Sequence, residues 1–579
     1  MLRRIIYALS VAAILFAVTG IAVAQNPLFI PDTLGGPTYN LNVQKGNTNF
    51  FPSIITPTFG YNGNILGPTL IINKGDSITL NVTNNLTTST TVHWHGFHIA
   101  PQYDGGPHQI IDPGKTWSPS FKMLNNAGTY WYHPHGENKT EIQVSKGLAG
   151  LIIVRDKTEA SYKLPRKYGV DDFPVIIQTK AFDVLYQIAT ANHEDTLVVV
   201  NATVNPYLQV PKQLVRLRLL NGSTDRTYNL GLSDNRSFYL ITTDGGLLSQ
   251  PYPMTRLRLS TGERAEILVD FGNDTLGQQL FLISYSSELP TGIIGADSVG
   301  TSTIIIGEGY HTNYLNGADF SLMRFDVKAA TANPVTTLPS VFAPVAIFDT
   351  LNVNAHRRIH FSADVVTFGD QAKVDGPFLM NDKSFHMDSV NIITYLNNKE
   401  IWTLTNSTMV AHPFHIHDIQ FNILDINGAK PPPQYSGWKD VILVKPNDTV
   451  RFITKFTNFA NKTVPYMFHC HLLHHEDEGM MGSFLVLDTN STGVNQFESS
   501  GNLVIYPNPS SGNWIIKGAV SGEELNMELL NLEGEVIFQK TIGTDTQTIE
   551  IQNTDLEGGI YFLKIKNNSN YQIYKLIKN

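Results

Sequence analysis

The sequence predicts an all-β protein: three consecutive β-sandwiches followed by a fourth, smaller one. Three observations carry this. Helical periodicity is nearly absent from the 579 residues. Short runs of alternating apolar and polar residues recur throughout, bounded by Gly, Pro and Asn, as in sandwiches and barrels. The chain is too long for a single core and divides into blocks of ordinary domain size.

In chain order, residues 1–24 read as a secretory signal. Arg3 and Arg4 give a charged start, residues 5–18 an apolar run, and Ala22-Val23-Ala24 a small-residue cleavage site. No other apolar run is long enough to span a bilayer. Residues 35–160 form the first block, with strand-like runs at 70–73, 77–82 and 151–154. Residues 165–325 form the second, with runs at 214–219 and 266–269. Residues 326–490 form the third, and a polar stretch from Asp488 leads to a β-rich tail at 500–579. The net charge of −9 is spread without a basic stripe, which argues against a nucleic-acid partner.

Four histidine clusters stand out. They are His93-Trp94-His95-Gly96, His133-Pro134-His135-Gly136, His412-Pro413-Phe414-His415-Ile416-His417, and His469-Cys470-His471 with His475 and Met480 behind it. The first two fall in the first block and the last two in the third, while the middle block has none. Cys470 is the only cysteine. It has no intrachain disulfide partner, and an exported free thiol is oxidised unless buried or coordinated.

Strand geometry sorts these side chains, because alternate residues share a face. His93 pairs with His95, His133 with His135, His415 with His417, and His469 with His471. His412 and Cys470 point the other way. One site then collects eight imidazoles, enough for about three coppers. The other collects His412, Cys470, His475 and Met480, a His₂Cys set with a weak axial thioether, which is the blue-copper arrangement. A structural zinc site takes about four ligands, fewer than this set offers. The histidines at 98, 108, 193, 311, 356, 360 and 386 read as surface or hydrogen-bonded residues, and His474 has the wrong offset from Cys470.

With these motifs the chain resembles the multicopper oxidases over about residues 35–490. The middle block shares the resemblance through Arg216-Leu-Arg-Leu-Leu-Asn, Thr243-Asp-Gly-Gly and Gly262-Glu-Arg-Ala-Glu-Ile. The resemblance implies three cupredoxin-like Greek-key domains and four copper ions. His412, Cys470, His475 and Met480 would hold the type 1 copper, and His93 and His415 the type 2. His95, His133, His135, His417, His469 and His471 would hold the type 3 pair. It also implies that a small reducing substrate gives single electrons to the type 1 copper, through an exposed edge of His412 or His475. O₂ would become two waters at the trinuclear cluster. Asp104 and Glu476 resemble acidic positions that relay protons in bacterial members.

No methionine-rich insert accompanies Met380, Met387, Met409 or Met467. Soft cuprous ion favours thioethers, so organic donors such as phenols are expected, with a cuprous or other metal-ion oxidase as the alternative. A copper-binding protein without catalysis is the reading from another class. The tail, with Tyr506-Pro-Asn-Pro and a basic end at 575–578, resembles the C-terminal sorting domain of the Bacteroidota type IX secretion route. That implies recognition by the secretion machinery and a secreted or cell-surface oxidase. The sequence leaves the oligomeric state open.

Overall fold

A computed structural model describes residues 25–190, 194–299, 310, 313–363, 376–488, 504–517, 525–532, 534–542, 548–552, 556–566 and 571–579. The secretory-signal reading of residues 1–24, and His193 and His311, lie outside the described residues. The chain forms two compact units, divided between Val486 and Leu487.

Among the described residues, the larger unit contains three pairs of β-sheets. In the first pair, a five-stranded sheet runs Thr33–Gly35, Thr69–Asn73, Gly150–Arg155, Gly128–His133, His93–His95. It faces a sheet built on Thr38–Phe51 and Ser77–Asn84. The alternation in Ser77–Asn84 turns Ile78, Leu80 and Val82 into the core with Leu70, Ile72 and Trp94. Gly150–Arg155 is buried on both faces, because Leu151 and Trp131 pack outward on Ile176 and Leu220 of the middle block.

The middle pair centres on Asp172–Phe182, Leu214–Asn221 and Arg264–Asp270. Leu214–Asn221 is buried throughout although it carries two arginines. Arg216 pairs with Glu159 and Glu266, and Arg218 with Asp172 and Glu266. Arg218 and Glu266 also bond Thr129 Oγ1, at 3.0 and 2.7 Å, so this charge network ties the middle block to the first. Buried charges persist only when paired in this way.

The third pair joins a sheet built on Ala355–Ala363, Lys399–Asn406 and Thr449–Lys455 to one ordered Ile392–Tyr395, Met481–Leu487, Tyr466–Cys470, His412–Ile416, Val441–Val444. The smaller unit carries a three-stranded and a four-stranded sheet around Trp514, Met527, Leu529, Leu563 and Leu576. The fold is therefore all-β, as the sequence predicts. Each of the five strand-like runs singled out in the sequence lies inside a strand.

Candidate metal centre

Two strand ladders set the histidine positions. In the first block His93 pairs in register with His133, and His95 with Trp131. In the third block His415 pairs with His469, and Phe414 with Cys470. Of the four alternate-residue histidine pairs, His93–His95 alone lies wholly within one strand. His135, His417 and His471 fall just past the ends of theirs. Local bonds hold the last two: His417 N donates to Met467 O at 3.0 Å and His471 N to Pro413 O at 2.6 Å.

The eight paired histidines converge between the first and third blocks, all buried. Their ring nitrogens form triads lying within 4.8 Å of one another: His93, His415 and His417; His95, His133 and His471; His135, His417 and His469. His93 stacks on His417 at 3.9 Å and His95 on His415 at 3.8 Å between centroids.

The opposite ring nitrogens are fixed from outside. Carbonyls accept from Nδ1 of four rings: Asp104 O from His93, Pro134 O from His133, Asp440 O from His415, and Cys470 O from His469. Asp104 Oδ2 lies 2.6 Å from His417 Nδ1. Glu476 lies 3.1 Å from Nδ1 of both His135 and His469. His95 is reversed: its Nε2 faces Asp440 Oδ1 at 3.2 Å, and its Nδ1 faces His471. Outer bonds of this kind select the tautomer and aim the other nitrogen inward.

Nε2 of His93, His133, His135 and His415 is buried without a hydrogen-bond partner. Orphaned polar atoms are costly in an interior. Burial also pushes His93, His95, His133, His135, His415, His417 and His471 down, His93 to about 3, and so keeps these rings neutral, the state a metal takes. Convergent neutral imidazoles with unsatisfied nitrogens fit a cluster of copper ions.

Cys470 points away from this set. Its Sγ lies 3.5 Å from His412 Nδ1 and 3.6 Å from His475 Nδ1. Thr408 Oγ1 bonds His412 Nε2 at 2.8 Å. His475 sits on the single helical turn Leu473–Asp477, and the chain folds back as Cys470 N donates to Met480 O at 3.0 Å. Cys470 and Met480 are fully buried. Burial pushes the Cys470 thiol up, a cost that a bound cation reverses.

The expectation of an exposed type 1 imidazole edge is corrected. His412 and His475 are both fully buried. The Phe378 ring covers them, at 4.8 and 4.4 Å between centroids. A small reductant therefore reaches this site only through neighbouring atoms.

Asp104 and Glu476 are buried rather than solvated. Burial raises Asp104 to about 6, against the opposing pull of His93 and His469. The neighbouring Asp477 bonds the N–H groups of Thr140 and Glu141 at 3.0 Å, and burial with the adjacent Glu476 raises it to about 7. Outside the clusters, His98 bonds Asp418, His108 faces Met387 O, His360 faces Thr405 and His474 bonds Asp225.

Sequence reasoning missed what the middle block contributes. Arg264 grips Asp440 through two 2.6 Å contacts. Asp440 in turn faces His95 with its carboxylate and holds His415 with its carbonyl. Thr261 Oγ1 donates to His471 O at 2.6 Å. Gly262 has φ +79°, and a Cβ there would stand 2.8 Å from the His471 ring. The available signals were Gly262-Glu-Arg and the charged Lys439-Asp440 opening an apolar strand.

Known proteins resemble this chain over most of its length. Multicopper oxidase family models match residues 42–159, 180–309 and 352–490. A secretion-system C-terminal sorting domain model matches 504–579. The chain is 34% identical over 464 residues to the multicopper oxidase mco of Staphylococcus haemolyticus, covering 79% of this chain and 90% of that protein. It is 31% identical over 482 residues to the cell division protein FtsP of Escherichia coli, covering 80% and 93%. The crystal structure of a laccase from Pediococcus acidilactici superposes with a TM-score of 0.68 at 33% identity, covering 80% and 94%. The chain belongs to the multicopper oxidase family.

Proposed function

We propose that this chain is a laccase-like oxidase. It couples one-electron oxidations of a phenolic or similar small donor to the reduction of O₂ to two waters. The observation that supports this most is the complete donor set: eight convergent imidazoles and the His412, Cys470 and His475 triad. His469-Cys470-His471 joins the two by peptide bonds.

His412, Cys470, His475 and Met480 would hold the type 1 copper. His93 and His415 would hold the type 2 copper, and His95, His133, His135, His417, His469 and His471 the type 3 pair. Copper in these sites supplies one-electron transfer and the multi-electron reduction of O₂. The protein's part is to hold the imidazoles neutral and aimed, keep bulk water away and deliver protons. Asp104 and Glu476 suit the last task, since each is a buried carboxylate against ligand rings. The ligating imidazoles cannot spare a proton, since the one N–H of a neutral ring is committed to its outer hydrogen bond.

The sorting domain supports secretion or attachment at the cell surface through the type IX machinery. Similarity to a cell division protein raises a role without catalysis, and the intact donor set favours the oxidase. Oxygen uptake by the copper-loaded protein decides between them. Uptake with a simple phenol supports this reading, and faster uptake with Cu(I) would make it a metal-ion oxidase. Full copper occupancy with no uptake would support the role without catalysis.

A further inference from the structure

We propose that a cleft beside the loop carrying His475 and Met480 is the donor-binding site, and that it takes a small aromatic donor with an anionic substituent. This rests on the oxidase reading above. The cleft has a volume of about 610 Å³. That suits a ligand of one or two rings.

Its position follows from covalent neighbours of the type 1 set. Phe468 and Met481 line it. Phe468 lies two residues before Cys470 on the same strand, and Met481 directly follows Met480. The opposite wall is held against this loop: Phe385 N donates to Gly479 O at 2.9 Å and Ser483 N to Asn391 Oδ1 at 2.8 Å. Phe378 shields His412 and His475, so a donor cannot touch either imidazole edge. From the cleft, the route to Cys470 runs through the Met481–Met480 peptide and the Cys470 N–H bond to Met480 O.

The lining sets the class of donor. Met380, Val390, Phe468 and Met481 give an apolar floor. Thioethers beside Phe468 favour an aromatic ring. Lys383, Asn381 and His386 give a polar rim with one fixed cation. The adjacent Asp382 is turned away onto Ser362 Oγ at 2.6 Å, which leaves the Lys383 charge uncancelled from that side. Each bound phenol loses one electron and its hydroxyl proton, the proton leaving to solvent at the open rim. Four such losses balance one O₂ and four protons becoming two waters.

The test uses the copper-loaded full chain with 4-methoxybenzoate, which keeps the ring and carboxylate but has no oxidisable hydroxyl. Its uncharged counterpart is 4-methoxybenzamide. Lys383 and Val390 are both exposed, so Lys383→Glu and Val390→Trp spare the core. The proposal expects the benzoate to bind more tightly than the benzamide in calorimetric titration. Lys383→Glu should weaken the benzoate about fivefold and leave the benzamide little changed. Val390→Trp should abolish binding of both, with the blue absorption intact in each variant. Equal binding of the probes to all three proteins overturns the cleft assignment, even with oxygen uptake normal. No uptake from any donor by the unmodified protein overturns the oxidase reading, and the donor role of the cleft with it.

Discussion

Arg264 and Asp440 form a fully buried two-point ion pair, with both contacts at 2.6 Å, between the middle block and the histidine cluster. The pair does more than join blocks. Asp440 presents Oδ1 to His95 and its carbonyl to His415, so one residue orients two stacked rings, one from the first block and one from the third. Asp440→Asn should keep the fold and the blue colour while lowering affinity for the trinuclear coppers about 10–100-fold. Arg264→Leu leaves a buried carboxylate unpaired and should cost about 3–5 kcal/mol of stability. Copper counts, the type 2 electron paramagnetic resonance signal and thermal melts separate the two effects. A full copper complement in Asp440→Asn would remove its orienting role.

Gly96 reports on the same pair. It has φ +85°, and a Cβ would stand 2.5 Å from Asp440 Oδ2 and 2.7 Å from Arg264 Nη2. Gly96→Ala should destabilise the protein by about 1–3 kcal/mol and disturb the trinuclear site before the type 1 site. A melt unchanged from the parent would contradict this.

Asp104 and Glu476 should separate colour from turnover. Asp104→Asn keeps a group of the same size beside His417, and Glu476→Gln does so beside His135 and His469. Each should slow oxygen reduction about 100-fold or more while the blue absorption persists. Single-turnover reoxidation of the fully reduced protein is the readout, and parental kinetics would exclude the residue from proton delivery.

Acid should loosen the joint between the first and middle blocks. Burial alone would raise Glu159 and Asp172, but the Arg216 and Arg218 charges outweigh it and hold both carboxyls at about 2. A depressed carboxylate contributes stability above its unfolded pKa and loses it as pH falls through the folded value. The melting temperature should therefore fall between about pH 4.5 and pH 2. Glu159→Gln should flatten that part of the profile, and an unchanged slope would count against the assignment.

The tail makes a prediction about location. Deleting residues 500–579 should leave active, copper-loaded enzyme in the periplasm. Normal export of the shortened chain, followed by cell fractionation, would show that the sorting domain is not needed.

The strands and the His93–His95 pair were legible because both follow from period-two alternation, which acts locally, whereas His135, His417 and His471 reach the cluster from just past their strand ends. The burial of Asp104 and Glu476 was not. Their motifs, Asp-Gly-Gly and a run of three acids, also fit a turn and a solvated loop, so no local pattern marks either carboxylate as buried. Asp440 was hidden for a related reason: it lies 345 positions from His95, and no local pattern encodes that contact. The shielding of His412 and His475 depends on Phe378, which approaches them only in the folded chain.

Oxygen uptake by the copper-loaded protein, measured with the donor consumed and the product formed, tests the central claim most directly. The account predicts that each O₂ consumed oxidises four molecules of a simple phenol and yields water without free peroxide. Full occupancy of the type 1, type 2 and type 3 sites with no uptake from phenols or Cu(I) would contradict it.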